Sequence, residues 1–136
     1  IIRYPGRIEP GEEDLLIGVP DLMPTLLKLV GIDDCSEKLE GTDYTSILTS
    51  GMGEKPTSAF YIVPNLGNPK FGNRGLRTDE YTFVIQRNEE GETVRLYNLI
   101  EDPYQLKDCA ESEPEILEIL TKELNDWLRK TNDPWN

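Results

Sequence analysis

The sequence contains no histidine, and this absence limits the chemistry that the chain can perform on its own. Histidine is the commonest general base in enzymes and a frequent metal ligand. Without it, neither a Ser-His-Asp site nor a Cys-His site can be built from this chain alone. Catalysis within these 136 residues would therefore depend on carboxylates, Lys, Tyr or Cys.

Basic residues and long apolar runs are also scarce. The chain carries 14 Lys and Arg against 26 Asp and Glu, a net charge of −12. Because binding to a phosphate backbone needs clustered basic side chains, we expect no nucleic-acid partner. No apolar run approaches the roughly 20 residues that span a bilayer, and no leader pattern is present, so we expect no membrane partner. The chain opens on Ile1 and Ile2 instead of Met, which suggests a piece of a longer protein.

Only two cysteines are present, Cys35 and Cys109, and they lie far apart in unlike contexts. Neither belongs to a C-x-x-C pair or a metal knuckle. We expect free thiols, with a disulfide as the alternative, so the cysteines do not indicate a compartment.

Alternating side chains predict a β-hairpin in the second half of the chain. Residues 81–86 and 93–98 alternate apolar and polar positions, the period of half-buried strands. The link between them ends at Gly91, which can supply a positive φ. Asp102 stands before Pro103, a pair that predicts a sharp turn after the return strand.

Two helices are predicted on either side of this hairpin. The first has Asp21 as its N-cap, Pro24 in its first turn and Gly31 as its stop, and its apolar stripe predicts a largely buried helix. In the second, Ser112 and Glu115 fit a capping box. Its apolar residues follow helical spacing and should cover one face of the hairpin sheet; they are Ile116, Leu117, Leu120, Leu124, Trp127 and Leu128.

Shorter elements complete the prediction. Ile1 and Ile2 indicate the end of a strand, and residues 14–17 a short extended segment. Residues 39–48 predict a loop with one helical turn, and residues 58–63 a strand. We expect a boundary between two parts of the chain near residue 55.

Three groups of residues are candidates for binding. Acidic clusters at residues 12–14, 33–34 and 89–90 lack the spaced pattern of a cation site, and we expect solvated surface. In residues 68–74, Lys70 and Arg74 can contact an anionic ligand through charge-assisted bonds, or they can anchor the loop by pairing with acids. Two tyrosines, Tyr97 and Tyr104, can frame a pocket, although packing is the usual role of such aromatics.

Four blocks of this sequence resemble, in the right order, the C-terminal part of the sulfatase family. They are VPDLMPTLLKLVGI from Val19, LEGTDYTSIL from Leu39, RGLRTDEYTF from Arg74 and LYNLIEDPYQL from Leu96. The resemblance implies a hydrolase of sulfate esters within the alkaline-phosphatase-like superfamily. It also implies a formylglycine nucleophile, made from Cys or Ser in a C-x-P-x-R type motif, beside a calcium ion held by Asp and Asn.

The catalytic motif of that family has no counterpart here. The segments at Cys35, Cys109 and Ser112 do not match it, and Asp33-Asp34 follows a helix stop instead of lying in an N-terminal half. The resemblance therefore assigns no catalytic residue and no metal ligand to this chain. It implies that calcium and formylglycine belong to an N-terminal catalytic part of the same polypeptide, which would be the partner of this segment.

By resemblance, the fold class is α+β, a short antiparallel sheet packed by a long C-terminal helix and preceded by the last strand and helix of a larger α/β domain. Residues 1–55 would end that large domain, and residues 56–136 would form a small C-terminal subdomain. We expect the C-terminal fragment of a sulfatase-like enzyme, inactive alone, with Lys70 and Arg74 at the rim of a pocket for an anionic sulfate ester. The alternatives are a stand-alone acidic interaction module and part of a related phosphoesterase or phosphonate hydrolase.

Overall fold

The computed structural model describes residues 1–32 and 39–135. The chain divides into two compact units, Ile1–Thr57 and Ser58–Asn136. This division lies close to the boundary expected near residue 55, while the assignment of the first unit to a larger α/β domain stays a prediction. No helix in the described ranges has the length and apolar character needed to cross a membrane.

The first unit contains helices α1 (Val19–Leu29) and α2 (Thr45–Ser50). The prediction of Asp21 as N-cap is wrong, because the N-cap is Gly18, three residues earlier, and the helix begins at Val19. Asp21 lies in the first turn, where its Oδ2 accepts a 2.7 Å hydrogen bond from the Gly18 N–H. The predicted stop is confirmed, since Gly31 follows the helix with a φ of +80°.

Polar groups join α1 to the segment that leads into α2. Thr25 is buried, and its Oγ1 accepts a hydrogen bond from the Tyr44 N–H at 3.1 Å. The Thr45 hydroxyl in turn donates to the Thr25 carbonyl at 3.1 Å. Within α1 only Pro24, Thr25 and Leu29 are buried, so the prediction of a largely buried helix is wrong for the described residues. Most of its apolar stripe is exposed within this chain.

The predicted strand at Ile1 and Ile2 is absent, as is any strand at residues 14–17. A strand needs a hydrogen-bonded neighbour. No described residue pairs with either segment, since every strand pairing in the described ranges lies within the second unit.

The second unit is built on a four-stranded antiparallel sheet in which the strands follow one another in chain order. Its strands are β1 (Ala59–Pro64), β2 (Gly72–Arg77), β3 (Tyr81–Asn88) and β4 (Gly91–Asn98). The β3–β4 pair is the predicted hairpin, and Gly91 turns it with a φ of +135°. The sharp turn after β4 is also confirmed, since Asp102 Oδ2 accepts from the Lys107 N–H at 2.7 Å.

Strand β2 is not among the strands that the sequence predicts. Its sequence, GNRGLR, has no β-branched or aromatic residue. Pairing with both neighbours forms the strand, and Gly75 is required there. A Cβ on Gly75 would lie 2.4 Å from the Tyr61 hydroxyl and 2.4 Å from the Phe83 carbonyl oxygen.

Helix α3 (Pro114–Lys130) covers one face of this sheet, as predicted. The core brings together buried residues of three strands and of the helix; they are Leu76, Phe83, Leu96, Leu120, Leu124 and Leu128. The predicted capping box is wrong, because Glu113 is the N-cap and Pro114 opens the helix, a position that suits proline. The Ser112 hydroxyl instead donates to the Cys109 carbonyl at 3.0 Å. The α+β fold class is confirmed.

Candidate functional site

The candidate site is the loop between β1 and β2, residues 65–71, which we call the β1–β2 loop. Its backbone is held by its own side chains. Asn65 Oδ1 accepts hydrogen bonds from the Gly67 N–H at 2.8 Å and the Asn68 N–H at 3.1 Å. Asn68 Oδ1 accepts from the Lys70 N–H at 3.0 Å. Two successive Asn turns therefore give this exposed loop a defined course.

Lys70 lies near the end of the loop and is exposed. Its backbone N–H is bonded to Asn68, while its ammonium group forms no ion pair or hydrogen bond within the described ranges. An ammonium group has three donors and no acceptor, so an unpaired one on an ordered loop can bind an incoming anion. Of the two predicted rim residues, Lys70 is the one that is open to solvent.

Arg74, the other predicted rim residue, is buried. Its Nε donates to Asp133 Oδ2 at 2.8 Å, and both side chains are only 2% and 3% exposed. The other guanidinium nitrogens donate to backbone carbonyls, Nη1 to Asn73 and Nη2 to Pro69, each at 3.2 Å. This geometry supports the anchoring alternative for Arg74. Direct contact of Arg74 with a substrate stays a prediction.

The residues after α3, 131–135, form what we call the C-terminal tail, and sequence analysis missed its role. Two guanidinium groups lie over the Trp135 ring, that of Arg74 at 4.7 Å and that of Arg87 at 4.2 Å from the ring centroid. Arg87 also makes a two-pronged contact with Glu92 Oε2, at 3.0 and 2.8 Å. The only signal in the sequence is an Asp-Pro-Trp segment after a helix, which indicates a turn but not the partner of its side chains.

In the described ranges no three His, Cys, Asp or Glu side chains lie close enough together to hold a metal ion. Glu12, Asp14 and residues 89–90 are exposed, and Glu13 pairs with Lys55. The prediction for Asp33-Asp34 falls outside the described residues.

The remaining candidates are two tyrosines and two cysteines. Tyr104 is exposed on the turn after β4, whereas Tyr97 is half-buried within the strand. Cys109 is a free thiol whose Sγ donates to the Leu96 carbonyl at 3.2 Å. Burial raises the pKa of the Cys109 thiol, which favours the unreactive protonated form. The prediction for Cys35 falls outside the described residues.

Comparison with known proteins finds similarity along nearly the whole chain. The family described as N-sulphoglucosamine sulphohydrolase, C-terminal, matches residues 1–133. An endo-4-O-sulfatase of Bacteroides thetaiotaomicron is 30% identical over 99% of this chain. This chain covers only 30% of that protein.

Solved structures agree with these matches. A Bacteroides fragilis protein described as a candidate sulfatase is similar with a TM-score of 0.88 at 30% identity, over 97% of this chain and 29% of that one. A second structure, from work on glycosaminoglycan metabolism by Bacteroides thetaiotaomicron and labelled 4S-sulf, gives 0.85 at 28% identity, over 98% of this chain and 31% of that one. The chain therefore spans less than a third of the length of each of these relatives.

Proposed function

Since this chain belongs to the sulfatase family and matches its C-terminal portion, we propose that it completes a sulfuric ester hydrolase by forming part of the rim of the substrate pocket. The observation that carries this proposal is the β1–β2 loop, which combines a hydrogen-bonded backbone with the exposed ammonium group of Lys70. In this proposal Lys70 binds the substrate. Arg74 supports the same rim by bonding the Pro69 carbonyl.

The reacting groups belong, in this proposal, to an N-terminal catalytic part of the same polypeptide. The family implies calcium and a formylglycine for that part. The described residues here do not fit either group, because they bring no cluster of metal ligands together and no segment of the chain has the C-x-P-x-R type motif. The exposed apolar residues of α1, among them Leu22, Met23 and Leu26, support burial against that part.

An anionic sulfate ester is the substrate class that suits Lys70. The chain is strongly acidic overall, with a net charge of −12, and this charge repels anions at long range. An unpaired cation at the rim would then provide a local attraction for the sulfate group of the substrate. The relatives described as an endo-4-O-sulfatase and as part of glycosaminoglycan metabolism support a sulfated polysaccharide as the substrate.

The test is the variant Lys70→Ala in the enzyme that contains this chain and its catalytic part. A charge-assisted contact at an exposed rim is worth about 1.4 kcal/mol, so kcat/KM for a sulfated oligosaccharide should fall about tenfold, mainly through KM. Lys122→Ala is the matched control, because Lys122 is an exposed lysine of α3 in the same unit and should leave KM unchanged. A KM for Lys70→Ala equal to that of wild type would remove the rim role. An equal rise for Lys122→Ala would show a general charge effect instead.

A further inference from the structure

The C-terminal tail is held to the end of α3 and presents a single carboxylate to the sheet. The Asp133 N–H donates to the Leu128 carbonyl at 2.9 Å, just after Asn132 with its φ of +51°. The two oxygens of Asp133 then bond in different directions. Oδ1 accepts from the Trp135 N–H at 2.9 Å, whereas Oδ2 accepts from Arg74 at 2.8 Å. One side chain therefore fixes the tail and contacts strand β2.

Arg74 extends this connection to the β1–β2 loop. Its guanidinium is planar and carries donors in a fixed fork, so the position of one donor determines the positions of the others. While Nε is bonded to Asp133, Nη2 bonds the carbonyl of Pro69, the residue immediately before Lys70. The chain of contacts runs from the tail, through a rigid group, to the backbone that carries the exposed lysine.

Burial makes this connection stiff. The Asp133 and Arg74 side chains are almost completely buried, where a charge-assisted bond is less screened than at the surface. The Trp135 ring covers the guanidinium of Arg74, with Arg87 on the same ring. The loop itself is mostly exposed, and its other bonds come from its own Asn side chains and backbone. The contact with Arg74 joins the Pro69 carbonyl of the loop to a buried side chain of β2.

We propose that Asp133 is a positioning residue for substrate binding, acting through Arg74 and the Pro69 carbonyl to set the location of Lys70. This inference rests on the rim function proposed above for Lys70. It assigns Asp133 no contact with the substrate. Loss of its charge frees the fork of Arg74, and Lys70 then samples more positions, which weakens substrate binding more than it slows the chemical step.

The test is the variant Asp133→Asn in the enzyme that contains this chain and its catalytic part. The substitution keeps the size of the side chain and removes its charge. Amide hydrogen exchange of the β1–β2 loop should become about tenfold faster while α3 stays protected. KM should rise about as much as in Lys70→Ala, with kcat little changed. Asp126→Asn is the matched control, since Asp126 forms an exposed ion pair with Arg129 on the same unit and should change neither measurement.

A second variant, Arg74→Lys, keeps the charge opposite Asp133 and removes the donors to the loop. If Asp133→Asn fails to fold, Arg74→Lys should show the faster loop exchange and the higher KM by itself. If amide hydrogen exchange of the β1–β2 loop is unchanged in the folded variants, the inference is overturned, whatever the KM of Lys70→Ala. The double variant Lys70→Ala/Asp133→Asn should have the KM of Lys70→Ala alone, and additive effects would also overturn it.

The failure of the rim function has a different signature. Faster loop exchange together with a wild-type KM in both Lys70→Ala and Asp133→Asn would refute the binding role of Lys70. The ion pair between Asp133 and Arg74 would then have a structural role only.

Discussion

Truncation of Leu124 to alanine tests whether α3 and the sheet form one core. Leu124 is 1% exposed and lies in the middle of α3, among buried residues of the strands such as Phe83 and Leu96. Leu→Ala removes roughly three methylene equivalents, or about 2.4 kcal/mol of transfer free energy at about 0.8 kcal/mol each. The cavity left behind adds to this, because a packed core relaxes only in part. We expect a loss of about 3 to 4 kcal/mol in the free energy of unfolding.

The assay is urea unfolding followed by tryptophan fluorescence. Both tryptophans of the chain, Trp127 and Trp135, belong to the second unit, so the signal reports on the unit that contains Leu124. With a slope of about 1.5 kcal/mol per molar urea, the midpoint should fall by about 2 to 2.7 M. Such a loss is a large fraction of the stability of a typical domain.

Ile119→Ala is the control for this experiment. Ile119 lies on the same helix and is 60% exposed, so its truncation should change the free energy of unfolding by no more than about 0.5 kcal/mol. Equal midpoint shifts for Ile119→Ala and Leu124→Ala would refute the reasoning, because burial would then not determine the cost. A loss below about 1 kcal/mol for Leu124→Ala would show that α3 does not pack in the core.

Two further predictions concern pH and activity. Burial, and to a smaller extent the neighbouring Tyr97, raises the pKa of Tyr61 from 10.0 to about 12. As the pH rises, the unfolded state therefore releases the Tyr61 proton before the folded state does. The free energy of unfolding should fall between about pH 10 and pH 12. Urea midpoints across this range should fall less steeply in Tyr61→Phe, and an identical decline in that variant would contradict the assignment. The purified 136-residue chain should not hydrolyse an aryl sulfate with calcium present, because no segment matches the family's nucleophile motif. Measurable turnover would refute the proposal of an inactive segment.

Local patterns predicted the elements whose stability comes from nearby residues. The alternation at residues 81–86 and 93–98 and the apolar stripe of α3 were enough to predict the hairpin and the helix that covers it. Helix starts were less predictable. Asp21 and Ser112 both have good N-cap side chains, yet each helix begins elsewhere, because other residues at these ends also suit a helix start.

The sequence by itself determined the family, the fold class and the apolar faces, since these depend on residue order and short-range periodicity. Only the tertiary structure decided the burial and the partners of Lys70 and Arg74, two basic residues of one short segment. A charged side chain binds a ligand or anchors the fold according to its burial and its partners. The partner of Arg74 is Asp133, 59 positions away, and the two meet when α3 has packed on the sheet and brought the tail to strand β2. Lys70 is exposed, and no acid within the described residues pairs with it.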